Sequence, residues 1–318
     1  AGATEGNNLA IEGLTRHATG PRRRIVTTAV EHKAVLEPCR RLGREGWDVV
    51  VLPVDRDGVV DVAAAAEAID DNTLLVSIQA ANNEVGTIQP VAAIAALAHA
   101  HGVLVHCDAA QAVGKVAVDV IALDVDLLSA SGHKLYGPKG IGLLYVRGGP
   151  RRLLLEPASL GGGQEAGLRP GTSNVPGIVG LGQACALAKE TLQEEGVRLA
   201  ALRDRLEELL VRSVPGLAIN GRSAARLPNT SSLTFPGTDA DALLLNLPDL
   251  MLATGSACTT GAVEPSHVLQ AMGVSRAAAY GTARVSLGRY TQLDDIKAAA
   301  ALMQEAWLVM REGNVPQR

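Results

Sequence analysis

An α/β fold is predicted, with a mainly parallel central sheet covered by helices and a smaller C-terminal α+β domain. Three observations predict it. Short apolar, β-branched runs alternate with helix-length segments through the first half of the chain, the pattern of βαβ crossovers. Polar, chemistry-bearing residues stand where those runs end, which is where parallel sheets place their sites. Hydrophobic residues make up 47% of the 318, with only 2% aromatic. That is ample for a sizeable core, and the core must be built from Ala, Val and Leu. A chain of this length has room for one large domain and a smaller one.

The elements follow in order. Residues 24–30 read as a strand and 32–44 as a helix, 47–54 as a strand and 60–69 as a helix. Residues 73–80 form a buried strand, 90–100 a helix and 103–107 another strand; 125–130 and 140–146 follow as strands. Residues 175 to about 212 read as a long helical stretch broken near Gly196, where a glycine weakens a helix interior. Beyond it, 230–235, 251–253 and 283–287 read as strands, and 239–246, 266–272 and 291–310 as helices. The division expected is a large α/β domain over 1–191 and a small domain over 192–318.

Composition excludes several classes. The formal net charge is −4, which argues against a general nucleic-acid surface and leaves Arg22, Arg23 and Arg24 as a solvated loop cluster. No apolar run is long enough to span a bilayer, and no charged-then-apolar leader opens the sequence. The four cysteines, Cys39, Cys107, Cys185 and Cys258, form no CxxC pair. A disulfide framework or zinc site is not expected, no metal is expected, and a reducing cytoplasm fits.

The most informative stretch is Ser131-Gly132-His133-Lys134, continued by Leu-Tyr-Gly-Pro-Lys-Gly. A lysine at the end of an apolar strand, shielded from water, can deprotonate, attack a carbonyl and move protons. Lys139 precedes another strand and reads as structural or solvent-facing. Asp108, in His-Cys-Asp-Ala-Ala-Gln, is either a turn-capping carboxylate or the ion-pair partner of a pyridinium nitrogen. Gln111 is either a polar residue at a helix start or a donor to a cofactor's phenolic oxygen. His32, at a strand-to-helix turn, is either structural or an imidazole stacked on a ring as acid or base.

Gly2-Ala3-Thr4-Glu5 precedes a helix-compatible stretch over 7–14. It reads as an ordinary N-cap or as backbone N–H groups offered to an anion, with Thr4, Ser131 and His133 around one phosphate. Cys258, in Thr-Gly-Ser-Ala-Cys-Thr-Thr-Gly, is flanked by small, polar residues that would let a thiol travel. The other three cysteines read as inert core thiols. Arg284, with apolar neighbours, is a better candidate than Arg289 for a carboxylate fork. Asn83, in Asn-Asn-Glu-Val-Gly, is a turn residue or a helper at the same carboxylate. This set points to pyridoxal phosphate and sulfur chemistry.

Motifs across nearly the whole chain resemble the cysteine desulfurases of the NifS/IscS type, in the class-V aminotransferase family. The carriers are GATEGNNLAI, TTAVEHKAVLEPCRRL, NNEVGTIQP, HCDAAQAVGK, SGHKLYGPKGIG, GGGQEAGLRPGTSNVPGIVG, ATGSACTTGAVEPSHVL and ARVSLGRYT. The resemblance implies fold type I of the pyridoxal phosphate enzymes. It makes Lys134 the lysine that carries the cofactor and places His32 on the ring. Asp108 pairs with the ring nitrogen, Gln111 with the phenolic oxygen, and Thr4, Ser131 and His133 with the phosphate. Thr172, in RPGTSN, reaches the phosphate of a partner subunit, so a homodimer is implied. Arg284 and Asn83 bind the substrate carboxylate region, and Cys258 accepts sulfur from L-cysteine, giving L-alanine and an enzyme persulfide. An iron–sulfur scaffold or a tRNA-thiolation relay would take the sulfur onward.

The chain departs from the family pattern in three ways. Family members carry a segment before the GATE turn, on which this chain almost begins, so the expectation is an N-terminally shortened member. Ala166 stands where arginine is usual, and Pro170 where serine is usual. The alternatives are a selenocysteine lyase or another class-V enzyme, or a truncated, non-catalytic interaction protein.

Overall fold

The computed structural model describes residues 1–153, 155–254 and 264–313. They fall into two compact units. The first comprises residues 1–54, 59–82 and 89–192; the second comprises 55–58, 83–88 and 193 onward.

The first unit begins with α1 (Ala3–His17), followed by β1 (Arg24–Thr28), α2 (Lys33–Arg44), β2 (Asp48–Leu52), α3 (Val62–Ala68), β3 (Thr73–Gln79), α4 (Val91–Ala100), β4 (Leu104–Asp108), β5 (Leu127–Ser131) and β6 (Gly142–Val146). The strands form one sheet in the order β2-β1-β3-β4-β5-β6. Every pairing is parallel except β5 with β6, which is antiparallel. Strands β1, β3, β4 and β5 are buried almost throughout, as parallel strands covered on both faces are. Ile25, Leu75 and Leu127, all fully buried, meet Ala10, Ile11 and Leu14 of α1 and Val35 and Leu42 of α2. Small residues allow close approach: a Cβ on Gly6 would lie 2.8 Å from Ser129 Oγ. Trp47 packs partly buried against this core, with the Arg23 guanidinium 4.9 Å from its ring centroid.

The arginine cluster is not a solvated loop. Arg22 donates to the carbonyls of Thr73, His101 and Gly102, Arg23 lies over Trp47, and Arg24 pairs with Asp48 and Asp70. These three side chains tie the sheet's leading edge to its flanking loops.

Helix α5 (Val175–Ser213) begins in the first unit and ends in the second. It runs unbroken through Gly196, contrary to the interruption expected there. A mid-helix glycine costs about 1 kcal/mol relative to alanine. Burial of Leu199, Leu202, Leu206 and Leu210 along the same helix outweighs that cost.

The second unit holds β7 (Ala218–Asn220), β8 (Thr230–Thr234), α6 (Ala240–Leu245), β9 (Ala253–Thr254), α7 (His267–Ala271), α8 (Arg276–Tyr280), β10 (Thr282–Ser286) and α9 (Leu293–Gly313). Its sheet, in the order β7-β8-β10-β9, is antiparallel throughout. The second core gathers Leu206, Leu210, Leu233, Phe235, Ala283, Met303 and Trp307. Trp307 is 1% exposed and donates its indole N–H to the Pro236 carbonyl at 3.3 Å. Among the described residues no helix is long and apolar enough to cross a membrane.

Candidate active site

Parallel pairing brings the C-terminal ends of β1, β3, β4 and β5 to one edge of the first sheet, where Asp108, Ser131, Lys134 and His32 stand at or just beyond strand ends. Asp108 is the last residue of β4 and Ser131 the last of β5. Lys134 follows on a short 3-10 turn (Gly132–Leu135), closed by Tyr136 at φ 64°. His32 stands four residues beyond β1, at the N-cap of α2.

Asp108 is 6% exposed and held by both oxygens. Oδ1 accepts the Ala110 N–H at 2.9 Å and Oδ2 accepts Asn7 Nδ2 at 2.6 Å. Burial pushes its carboxyl above the usual carboxylate range. The two donors oppose that shift, as do the Lys134 charge and, in its protonated form, the His32 imidazole. Lys134 is near enough for its charge to act on Asp108 and to favour the ionised carboxylate.

Asn7 was not singled out in the sequence, yet it is fully buried. Its Oδ1 has no hydrogen-bond partner among the described residues. Two further buried polar groups escaped notice. His106, two residues before Asp108, lies between Ser77 Oγ (2.9 Å) and Ser129 Oγ (3.0 Å). Burial lowers its pKa to about 3, so the ring is neutral. Glu31 accepts from Thr28 Oγ1 at 2.7 Å and from the Gln79 N–H at 3.0 Å. Burial pushes its carboxyl up to about 8. Gln79 and Asn82 in turn donate to the Val30 carbonyl, pinning the β1–α2 turn to the end of β3. The only sequence signal for these groups was a polar residue interrupting an apolar strand or turn.

An open depression of about 670 Å³ is lined by Gly2, Ala3, Thr4, Asn8, Ser131 and His133, with Glu5, Lys139 and Gly140 also on its wall. Thr4 sits in the first turn of α1 rather than ahead of the helix. The N-cap is Gly2, which brings no capping side chain, and the Ala3 N–H donates to Ser131 Oγ at 2.7 Å. Burial lowers the His133 imidazole pKa, and Lys134, Lys139 and Lys115 lower it further. A helix N-terminus, a hydroxyl and several lysine charges favour an anion here. Glu5, the one carboxylate on the wall, is engaged by Arg169 at 3.1 Å.

Gln111 is half-buried, with Lys115 Nζ 3.4 Å from its Oε1. Thr172 is exposed and lies outside the lining of the depression. Ala166 adopts φ 58° in the turn before it.

Arg284 and Asn83 belong to the second unit, where Arg284 Nη1 donates to the Asn83 carbonyl at 2.7 Å. Arg284 Nε is buried with no partner among the described residues. Arg289 is engaged by Glu195 at 2.9 Å. Cys258 lies outside the described residues. Of the other thiols, Cys39 is pushed up to about 12 by burial, Cys107 well above its usual range, and Cys185 upward. These shifts disfavour the thiolate form in all three.

The sequence pattern of class-V aminotransferases matches residues 1–299. The chain belongs to the class-V aminotransferase family. Within that family it is similar to the cysteine desulfurase IscS of Ehrlichia chaffeensis, 40% identical over 98% of this chain and 76% of the relative. Among solved structures it resembles a NifS-like protein with a TM-score of 0.88 and 38% identity, over 98% of this chain and 81% of that one. It also resembles SspA in complex with cysteine, with a TM-score of 0.78 and 39% identity, over 92% and 81% of the two chains.

Cysteine desulfurases of the class-V aminotransferase family use pyridoxal 5'-phosphate, and the residues present fit that group. A buried carboxylate, raised by burial and anchored at both oxygens, gains from a cationic ring N–H. The depression at the N-terminus of α1 suits a phosphate.

Proposed function

We propose that the protein is a pyridoxal phosphate-dependent cysteine desulfurase that takes sulfur from L-cysteine and leaves L-alanine. Its sulfur would be held as a persulfide on Cys258. The observation that carries this reading is that neighbouring strands β4 and β5 end at the doubly anchored Asp108 and at the turn bearing Lys134. Pyridoxal phosphate, when bound, supplies an electron sink for a carbanion at the substrate α-carbon.

In this reading Lys134 tethers the cofactor and then carries the α-proton. Asp108 stays ionised to hold the proton of the ring nitrogen, and Asn7 keeps its carboxylate aligned. Thr4, Ser131 and His133 hold the phosphate, with Thr172 serving the partner subunit's site. Gln111 donates to the phenolic oxygen, and His32 lies on the ring. Arg284 and Asn83 orient the substrate carboxylate. The Cys258 thiolate forms a new S–S bond to the substrate sulfur as the C–S bond breaks. The bonding pair passes to carbon, which takes a proton to give alanine.

A homodimer belongs to the same reading, supported by Val175, Ile178 and Val179, which are 60%, 44% and 66% exposed on the first turns of α5. Free Cys39, Cys107 and Cys185 support a reducing, cytoplasmic setting. An iron–sulfur scaffold or a thiolation relay would be the sulfur acceptor.

The test is the reaction itself. The holoprotein given L-cysteine should release alanine and, with a reductant, sulfide. Cys258→Ser should retain the bound cofactor and form no persulfide. Sulfur release by that variant at the wild-type rate would remove Cys258 from the mechanism, and a preference for selenocysteine would reassign the substrate.

The phosphate depression gives a second test. A Cβ on Gly142 would lie 2.5 Å from the Ala130 carbonyl oxygen and 2.6 Å from Gly2 Cα. Gly142→Ala must therefore push the start of α1 away from Ser131. It is expected to cost about 1–3 kcal/mol of stability and to weaken pyridoxal phosphate binding about tenfold. Titration of the apoprotein with the cofactor reads this out, and an unchanged affinity would move the phosphate elsewhere.

A further inference from the structure

The geometry points to a donor-only role for His32: its imidazole works as a neutral ring carrying its proton on Nε2, and it is not the proton-accepting base of the reaction. This deepens the desulfurase reading and rests on it.

The argument starts from the N-cap of α2. His32 has an extended backbone (φ −64°, ψ 151°), and its Nδ1 accepts the Ala34 N–H at 3.0 Å. Ala34 occupies the second helical position, whose amide has no partner inside the helix. A backbone amide can only donate. Nδ1 must therefore present its lone pair, and in a neutral imidazole the hydrogen then sits on Nε2. A ring in that form has no lone pair left on Nε2 to receive a proton.

Protonating Nδ1 instead would forfeit the cap, and α2 depends on it. Pro38, inside the helix, has no N–H to return to the Ala34 carbonyl. Among the described residues that carbonyl accepts from Asn8 Nδ2, at a long 3.5 Å. The first turn is held by the N–H groups of Val35 and Leu36 on the His32 carbonyl, at 2.8 and 3.1 Å, and by the imidazole cap. A cation at His32 would also face the positive end of the helix dipole. Asp108 favours the cation, but it is anchored to Asn7 and Ala110 rather than to the ring. The turn that carries His32 is fixed by Glu31, Gln79 and Asn82, which holds the His32 backbone in the capping position.

What remains is an Nε2–H donor with a flat face, suited to lie on a cofactor ring and to donate to an acceptor on the substrate. Proton removal then falls to Lys134.

The experiment uses the holoenzyme labelled with ¹⁵N-histidine, with the His32 signals assigned by their loss in His32→Asn. At neutral pH Nδ1 should resonate as a lone-pair nitrogen and Nε2 as a protonated one. A proton on Nδ1, alone or in a doubly protonated ring, would overturn the proposal. Asparagine keeps a good N-cap and removes the ring. His32→Asn should therefore fold normally and lose about tenfold in kcat, the worth of one hydrogen bond. The acidic limb of its pH profile should be unchanged. A loss of about 10²–10⁴-fold with disappearance of that limb would make His32 the base. A wild-type holoenzyme that releases no alanine overturns the underlying reading. Alanine release with the wrong tautomer overturns this proposal alone.

Discussion

Lys134→Ala is expected to abolish alanine release, with a fall on the order of 10⁴-fold or more, and to remove the visible absorption of the protein-bound cofactor. The expectation rests on position. Lys134 stands directly after the fully buried strand β5, on a single 3-10 turn whose flanks are set by Gly132 and Tyr136. Its charge acts on Asp108 and on His133, the two sides of the proposed cofactor site. Neither Lys115 nor Lys139 can replace it: Lys139 is exposed on the rim of the phosphate depression, and Lys115 Nζ lies toward Gln111 and the Lys134 carbonyl. Lys134 is itself half-buried, so its truncation should leave thermal stability nearly unchanged. Cofactor absorption that survives with normal turnover would show that another amine holds the cofactor.

Glu207→Gln should produce the largest loss of stability. Arg226 grips Glu207 through two bonds, 2.8 and 3.1 Å long, with both side chains only 5% exposed. Ser231 Oγ adds a third at 2.7 Å. Removing the carboxylate charge leaves a guanidinium buried without compensation, which costs about 3–5 kcal/mol. An open cavity of about 460 Å³ borders the pair, and water entering it places the expected cost at the lower end of that range. The double variant Glu207→Leu with Arg226→Met should lose far less, because no charge is stranded. Urea unfolding of the three proteins reads the difference. Equal losses for the single and double variants would show that the pair contributes packing rather than charge balance.

The alternation of strand and helix was legible because the inner strands of the first sheet are buried and so are dominated by apolar residues. The antiparallel return of β6 was not, since pairing direction leaves no mark on residue pattern when both strands are apolar. Short elements such as β7 and α8 were also missed; at three and five residues they are too brief to show a period. Lys134, Asp108 and His32 could be read because each ends an apolar run or starts a helix, where chemistry stands out from packing. Asn7, Glu31 and His106 could not. Their partners lie far along the chain, as with Asn7 and Asp108, 101 residues apart, and a polar residue inside an apolar stretch does not announce which distant group will satisfy it. Gly196 misled for the opposite reason: its local cost is real, but the leucines after it decide.

The placement of the two tryptophans has an experimental consequence. Trp47 sits in the first compact unit, half-exposed beneath a guanidinium, and Trp307 in the second, sealed in the core. Each half of the molecule thus carries its own fluorophore, one emitting toward the red and the other toward the blue. Two emission bands can be followed in one melt, and the order in which they change will show which half loosens first, with no label added.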